Sequence, residues 1–242
     1  MTLYIYAIAQ ADEQHGDLAT GIADKPVYRI ESGSLVAFVS DYQAAAIRAE
    51  RRHIAACQRV LRALQAEVDL LPIAFGTLTS NADGVGELLT LHRDTLHSQL
   101  ERVRGSVEMG IRVNLEVPDP VAYLVEHSAE LQQARDHTFG RRKPPSHDER
   151  MRLGQLCEAA LRRFQEAQSA QLVEQLRQSC TEISPLPIHD DRQVANLAVL
   201  VPRTGLDAFE AAVNAAAESF DDDLAFNLSG PWPPYNFVQL EL

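Results

Sequence analysis

The chain has 242 residues, of which 45% are hydrophobic and 23% charged, and it carries a formal net charge of −12. That composition excludes the disordered and low-complexity classes, and the acidic balance excludes a nucleic-acid or anionic-membrane surface, since those partners demand concentrated Lys and Arg. The acid is uneven: from Thr181 to the end there are ten Asp or Glu against two Arg, a net of −8, so the C-terminal part favours basic or neutral partners.

The opening LYIYAIA alternates aromatic and branched residues and reads as a strand, followed by a polar loop from Ala11 to Lys25. PVYRI and SLVAFVS are two further strands, joined as a hairpin through Ser32 and Gly33. From Glu50 to Val68 the apolar residues Ile54, Cys57, Leu61, Leu64 and Val68 recur at steps of three and four, which predicts an amphipathic helix. LLPIAFGTL (Leu70–Leu78) follows with strand-like content. It is expected to be a buried strand in which Leu71, Ile73 and Phe75 alternate, Pro72 sits near the start where a missing donor is tolerated, and Gly76 permits a bulge. Asn81 to Val103 then returns to helical spacing.

SVEMGIRVNLEV predicts the next strand, closed by Pro118 and Pro120, and Asp119–Ala134 a short helix. RDHTFGRRKPPSH mixes Gly, Pro and like charges and reads as an exposed loop. A long helix is expected from Asp148 to about Ser179, with Leu153, Leu156, Ala160, Phe164, Ala167 and Leu176 on one side. EISPLPIH and VANLAVLVP are two strands joined by Asp190–Gln193, followed by a helix over Leu206–Ser219 and a last strand, DLAFNLSG. The length exceeds the usual domain size of about 100–150 residues, so two domains are expected. The expected division is an N-terminal α+β domain over 1–105 and a second α+β domain over 106–229, whose strand and helix order matches the ferredoxin-like βαββαβ arrangement. Residues 230–242 remain as a tail.

That tail begins GPWPPYNF and holds the only tryptophan. Gly230 can take positive φ, while Pro231, Pro233 and Pro234 fix φ and remove donors, so the segment is expected to be a stiff strap fixed by side chains. It would lead FVQLEL, a short alternating strand, back onto the N-terminal domain. Trp232 and Tyr235 are its expected anchors; the competing reading leaves both aromatics exposed as a docking patch.

The chemistry-bearing residues form no catalytic set. His92 and His97 are five apart on a predicted helix and share no face, His53 reads as a solvated or capping residue, and His189 lies with Asp190 and Asp191 in a turn. Cys57, Cys157 and Cys180 are widely spaced and form no CxxC pair, so they read as reduced thiols of a cytosolic protein. There is no GxSxG, GxGxxG or GxxxxGK[ST], and Asn81 or Asp83 in NADGVGEL reads as a helix cap. GRRKPP could grip a phosphate but reads as a solvated loop. No apolar run approaches the roughly 20 residues of a membrane span, and the N-terminus lacks a basic segment before its apolar stretch. The expectation is a soluble, unexported, non-enzymatic protein that needs no metal or cofactor.

LLPIAFGTL and GPWPPYNFV together resemble the gas vesicle protein F/L family (GvpF/GvpL), with supporting similarity in LYIYAIA, GSVEMGIRV and VANLAVLVP, in the family's order and over nearly the whole chain. Ala74 departs from the basic residue that many members carry in the first motif, and the stretch after Phe139 lacks the family's tyrosine and leucine. The resemblance implies two α+β domains, the second a modified ferredoxin-like fold, and no enzymatic activity. It also implies a location at the gas vesicle in the cytoplasm, and binding to the small hydrophobic major shell protein and to other gas vesicle proteins, as a structural component or a chaperone-like assembly factor. The motif residues it singles out are Leu71, Pro72, Phe75, Gly76, Gly230, Pro231, Trp232, Pro233, Pro234 and Tyr235. The alternative is a ligand-sensing or regulatory module, since a ferredoxin-like domain does not fix function.

Overall fold

A strand that must satisfy two buried tyrosines organises the N-terminal part of the chain. In the computed structural model, which describes residues 2–11, 19–44, 46–140 and 144–240, β1 (Thr2–Gln10) is buried along almost its whole length. It pairs antiparallel with β3 (Leu35–Tyr42), which in turn forms the expected hairpin with β2 (Val27–Ser32). On its other side β1 pairs with β4 (Leu70–Pro72) and β5 (Leu78–Thr79), giving a five-stranded sheet in the order β2-β3-β1-β4 with β5 beside β1.

The β1–β3 register shifts between Ile5 and Ala7, so Tyr6 is an extra residue with no partner across the ladder. A bulge of this kind re-aims the residues after it. Tyr4 and Tyr6 before the shift, and Ala7 and Ala9 after it, all join one core cluster with Ala56, Cys57, Val60, Leu61 and Leu64 of α1 (Arg51–Gln65). The opposite face of the sheet is covered by α2 (Ala82–Leu91), which touches β2 and β3, and α3 (Arg93–Val103), which touches β1 and β4. The single helix expected over 81–103 is thus two helices that break at His92, whose backbone leaves helical geometry. Asn81 caps the first of them, its side chain accepting from the Gly84 N–H.

LLPIAFGTL is not one strand. Leu71 and Ile73 are buried as expected, but a turn closed by the Thr77 N–H to the Ala74 carbonyl (3.2 Å) separates β4 from β5. Phe75 in that turn leaves the ladder half-buried, and Gly76 takes φ +98°, a conformation that favours glycine.

The second sheet has four strands in the order β7-β8-β6-β9, built from β6 (Ser106–Leu115), β7 (Glu182–Pro185), β8 (Gln193–Pro202) and β9 (Leu224–Trp232). β8 is buried from Gln193 to Val201, as a central strand covered on both faces must be. The helix expected at 119–134 is instead α4 (Pro120–Glu126) and α5 (Ala129–Phe139), because Ser128 interrupts the first and caps the second through the Leu131 N–H. α6 (His147–Leu176) starts at a capping box between Ser146 and Glu149. Its buried residues are Leu161, Leu172 and Leu176; of the expected apolar side, Leu153, Ala160 and Phe164 are half-buried and Leu156 and Ala167 are exposed. α7 (Leu206–Ala217) buries Phe209, Val213 and Ala216.

Residues 12–18 of the expected 11–25 loop lie outside the described residues, as do 141–143 within GRRKPP. The chain divides into two compact units, one of residues 1–108, 200–203 and 230–242, the other of 109–199 and 204–229.

The Tyr6 hydroxyl accepts from the Ile22 N–H (2.7 Å) and shares a hydrogen bond with Ser40 Oγ (2.9 Å), all three groups being buried. Tyr6→Phe therefore strands a buried N–H donor and is expected to cost about 1–3 kcal/mol in urea unfolding. An unchanged midpoint would mean that the 19–27 segment does not depend on this hydroxyl.

Candidate functional site

Residues Gln58, Leu61, Arg62 and Gln65 lie three and four apart on α1 and form one stripe beside its buried face. The tail lies along that stripe, and every residue of this region belongs to the first compact unit. β9 continues through Gly230 and Pro231, so the expected strap begins as strand, with Gly230 at φ +128°. After Trp232 the prolines offer no N–H, and side chains supply the attachment. Gln65 Nε2 donates to the Trp232 carbonyl at 2.7 Å. The Arg62 guanidinium carbon lies 4.5 Å from the centroid of the Trp232 ring, a cation–π distance.

The second attachment is a buried carboxylate. Glu108, near the start of β6 and only 6% exposed, accepts from the Asn236 backbone N–H at 2.8 Å and from Asn236 Nδ2 at 2.6 Å. Burial raises its carboxyl above the ordinary value of 4.5, and the two Asn236 donors partly oppose that rise by supporting the charged form. Asn236 sits in a 3-10 turn at Tyr235–Phe237, closed by the Phe237 N–H to the Pro234 carbonyl.

Phe237 is the deep anchor, at 0% exposure, with Pro233 and Pro234 also buried. Trp232 is half-buried and Tyr235 is 42% exposed, so the two aromatics expected to hold the tail are not its most buried members. Although the residue as a whole is exposed, the Tyr235 hydroxyl is pushed up first by burial, then by Cys57 and Glu108. No strand follows: Val238–Leu240 are irregular, with the Gln239 N–H held by Gln99 Oε1 at 3.2 Å, and 241–242 lie outside the described residues. The alternation in FVQLEL is misleading because Phe237 is spent in the turn and Val238–Leu240 join no sheet.

The other motif meets the same helix from the sheet side. Tyr4 donates to Cys57 Sγ of α1 (3.5 Å) and accepts from the Gly76 N–H (3.3 Å), and its ring lies 6.0 Å from that of Phe75. Burial pushes the Cys57 thiol up, which suits a small core hydrophobe rather than a nucleophile. Leu71 and Pro72 pair with Ile8 and Ala7 of β1, and Ala74 is exposed at the turn.

Two clefts flank the Trp232 ring. One, of about 250 Å³, runs between Leu61, Pro233 and Tyr235 with Glu108 in its wall; the other, of about 350 Å³, is lined by Arg62, Gln65, Arg203 and Gly230–Trp232. Among the described residues no group of three or more His, Cys, Asp or Glu could hold a metal ion, and no helix is long and apolar enough to cross a membrane. Sequence reading missed Gln65, Glu108, Asn236 and Phe237. The helical spacing of Gln58, Arg62 and Gln65 was available as a signal for the stripe alone.

This α+β architecture of two sheets is the fold of gas vesicle proteins of the F type. It matches crystal structures of GvpF from Anabaena sp. PCC7120 (TM-score 0.86, 22% identity, 100% of this chain and 99% of that one) and from Microcystis aeruginosa (TM-score 0.82, 24% identity, 99% of each chain). The chain belongs to the gas vesicle synthesis protein GvpL/GvpF family, whose model matches residues 2–239. It is 28% identical to gas vesicle protein F of Streptomyces sp. (strain CB03234), covering 99% of this chain and 100% of that protein. It is 29% identical to gas vesicle protein L of the same strain, covering 97% and 92%.

Two measurements test the tail. Phe237→Ala is expected to cost about 3–5 kcal/mol, the range for a buried phenylalanine, whereas the half-buried Phe75→Ala should cost about 2 kcal/mol; equal costs would contradict the burial described. Because Glu108 is raised in the folded state, its stabilising contribution is full below the ordinary value of 4.5 and is lost as pH rises through the higher folded-state value. The stability of the wild type relative to Glu108→Gln should therefore fall as pH is raised from about 4 to 7 in urea titrations. A difference that grows with pH would show that the Asn236 donors outweigh burial.

Proposed function

We propose that this chain is a non-enzymatic gas vesicle assembly protein or minor structural component that binds the small hydrophobic major shell protein and acts at the vesicle in the cytoplasm. The observation that carries the reading is the match of residues 2–239, almost the whole chain, to a family of gas vesicle synthesis proteins, which is not a known enzyme class. The proposed domain division is 1–105, 106–229 and a tail over 230–242 packed on the first domain. The compact units, which put 230–242 with 1–108, support that division, and the strand order β7-β8-β6-β9 supports a ferredoxin-like reading of the second domain. The motif residues Leu71, Pro72, Phe75 and Gly76 act structurally in this proposal, through the contacts of the 70–79 segment with β1 and Tyr4. The net charge of −12 would keep a complex with a hydrophobic subunit in solution.

Deletion of the gene is expected to abolish or reduce vesicle formation while leaving metabolite levels unaltered, and the tagged protein is expected to capture the co-expressed major shell protein. Normal vesicles in the deletion strain, together with an empty pull-down, would overturn the reading.

A further inference from the structure

Arg62 is an exposed arginine whose guanidinium rests on the Trp232 ring and, among the described residues, has no hydrogen-bonded or ion-paired acceptor. Stacking occupies the face of a guanidinium and leaves its N–H edge open, the edge that grips a carboxylate in bidentate fashion. The larger cleft beside it adds Arg203, whose Asp69 partner stands at 3.5 Å, and has no acidic residue in its lining among the described residues. The smaller cleft, on the Tyr235 side, is walled by Leu61, Pro233 and Tyr235 and contains Glu108 together with Arg62, which lines both clefts. Charge therefore distinguishes the two sides of the tryptophan: the Arg203 side offers an anion two guanidinium groups, whereas on the other side Arg62 stands with Glu108 between apolar walls that suit an apolar group. Such a locally cationic patch stands out in a chain of net charge −12.

We propose that the Arg62–Trp232 ridge is the docking surface for the gas vesicle protein partner, and that the docked segment presents an Asp or Glu beside an apolar side chain. The carboxylate is taken by the Arg62 fork with Arg203 behind it, and the apolar side chain lies against Trp232, Leu61 and Pro233. Trp232 carries the apolar contact and holds Arg62 in place. This inference rests on the reading above, that the chain binds another gas vesicle protein, and adds where and through what chemistry.

The test has two arms. In the first, co-expressed major shell protein is captured by the wild type, by Arg62→Gln and Arg62→Glu, and by Arg152→Glu, an exposed control on α6. In the second, an acetylated and amidated Leu-Glu-Leu peptide and its Leu-Gln-Leu counterpart are titrated while the emission of Trp232, the only tryptophan, is followed. The expected result is capture reduced about tenfold or more by Arg62→Glu, less by Arg62→Gln and not by the control, with a saturable, salt-sensitive emission change for the Glu peptide alone. Unchanged far-UV circular dichroism and melting of the Arg62 variants would exclude misfolding. Capture by the wild type that Arg62→Glu leaves intact would overturn the ridge while leaving the functional reading standing. Failure of the wild type to capture shell protein would count against the functional reading, and the peptide arm then decides the ridge: Arg62-dependent emission changes uphold it, and equal responses to the two peptides overturn it.

Discussion

The N-terminal half of the molecule depends on putting two tyrosine hydroxyls into its core without leaving either unsatisfied. β1 is buried on both faces, so Tyr4 and Tyr6 cannot turn their polar ends to water, and each buried hydroxyl needs partners inside the protein. Tyr6 finds Ser40 across the sheet and the Ile22 N–H from the segment before β2; Tyr4 finds the Cys57 thiol on α1 and the Gly76 N–H in the turn after β4. Two tyrosines two residues apart thus tie down a loop, a helix and a turn that the hydrophobic effect alone would bury without fixing. The bulge at Tyr6 belongs to the same arrangement, because it carries Ala7 and Ala9 round to the face that receives α1. Small side chains there allow the helix to approach, and Gly21 does the same for the loop: a Cβ on it would sit 2.2 Å from the Tyr6 hydroxyl.

Helix α1 is consequently shared. Its buried face is committed to β1, and the adjacent stripe of Gln58, Arg62 and Gln65 is committed to the tail, so the helix transmits the position of the sheet to the Trp232 ridge. The tail cannot use backbone donors where its prolines stand, and two side-chain tethers replace them: one neutral from Gln65 to the Trp232 carbonyl, one charged between Glu108 and Asn236. Burial opposes the charge on Glu108 while Asn236 rewards it, which makes that tether the pH-dependent one. Phe237 adds the apolar contribution that neither tether supplies.

Elements with strong periodicity were legible in the sequence: β1, the β2–β3 hairpin, α1, β6, β8 and α7 stand where alternation or helical spacing puts them. What was not legible is set by tertiary partners. The Tyr6 bulge depends on the register of β3, and a period-two pattern looks the same on either side of it. The turn within LLPIAFGTL depends on Gly76 reaching Tyr4, and the breaks at His92 and Ser128 lie inside stretches whose apolar spacing continues across them. In the tail, proline content correctly announced a segment held by side chains, but residue size pointed to Trp232 and Tyr235, whereas depth belongs to Phe237. Glu108 was hidden in an alternating strand pattern, where a single acid reads as solvent-facing.

The outer strands of both sheets share one physical property that bears on the proposed binding of a hydrophobic partner. An open strand edge is a template for adding another strand, and proline or charge on the edge suppresses that. In the first sheet the edge strand β2 follows Pro26 and carries the Arg29–Glu31 ion pair (2.7 Å), and the other edge, β4, ends in Pro72. In the second, β7 ends in Pro185 with Pro187 two residues on, and β9 carries Pro231 near its end, followed by Pro233 and Pro234. β9 is the most open of these, exposed from Asn227 to Pro231, and it is also the one whose continuation holds the most prolines. In the proposed role, a chain that offered a free edge to a hydrophobic partner would be drawn into indiscriminate strand addition. With these edges blunted, the proposed recognition is left to side chains, and the Trp232 ridge, immediately beyond the blunted end of β9, presents an aromatic ring and a guanidinium that has no acceptor among the described residues.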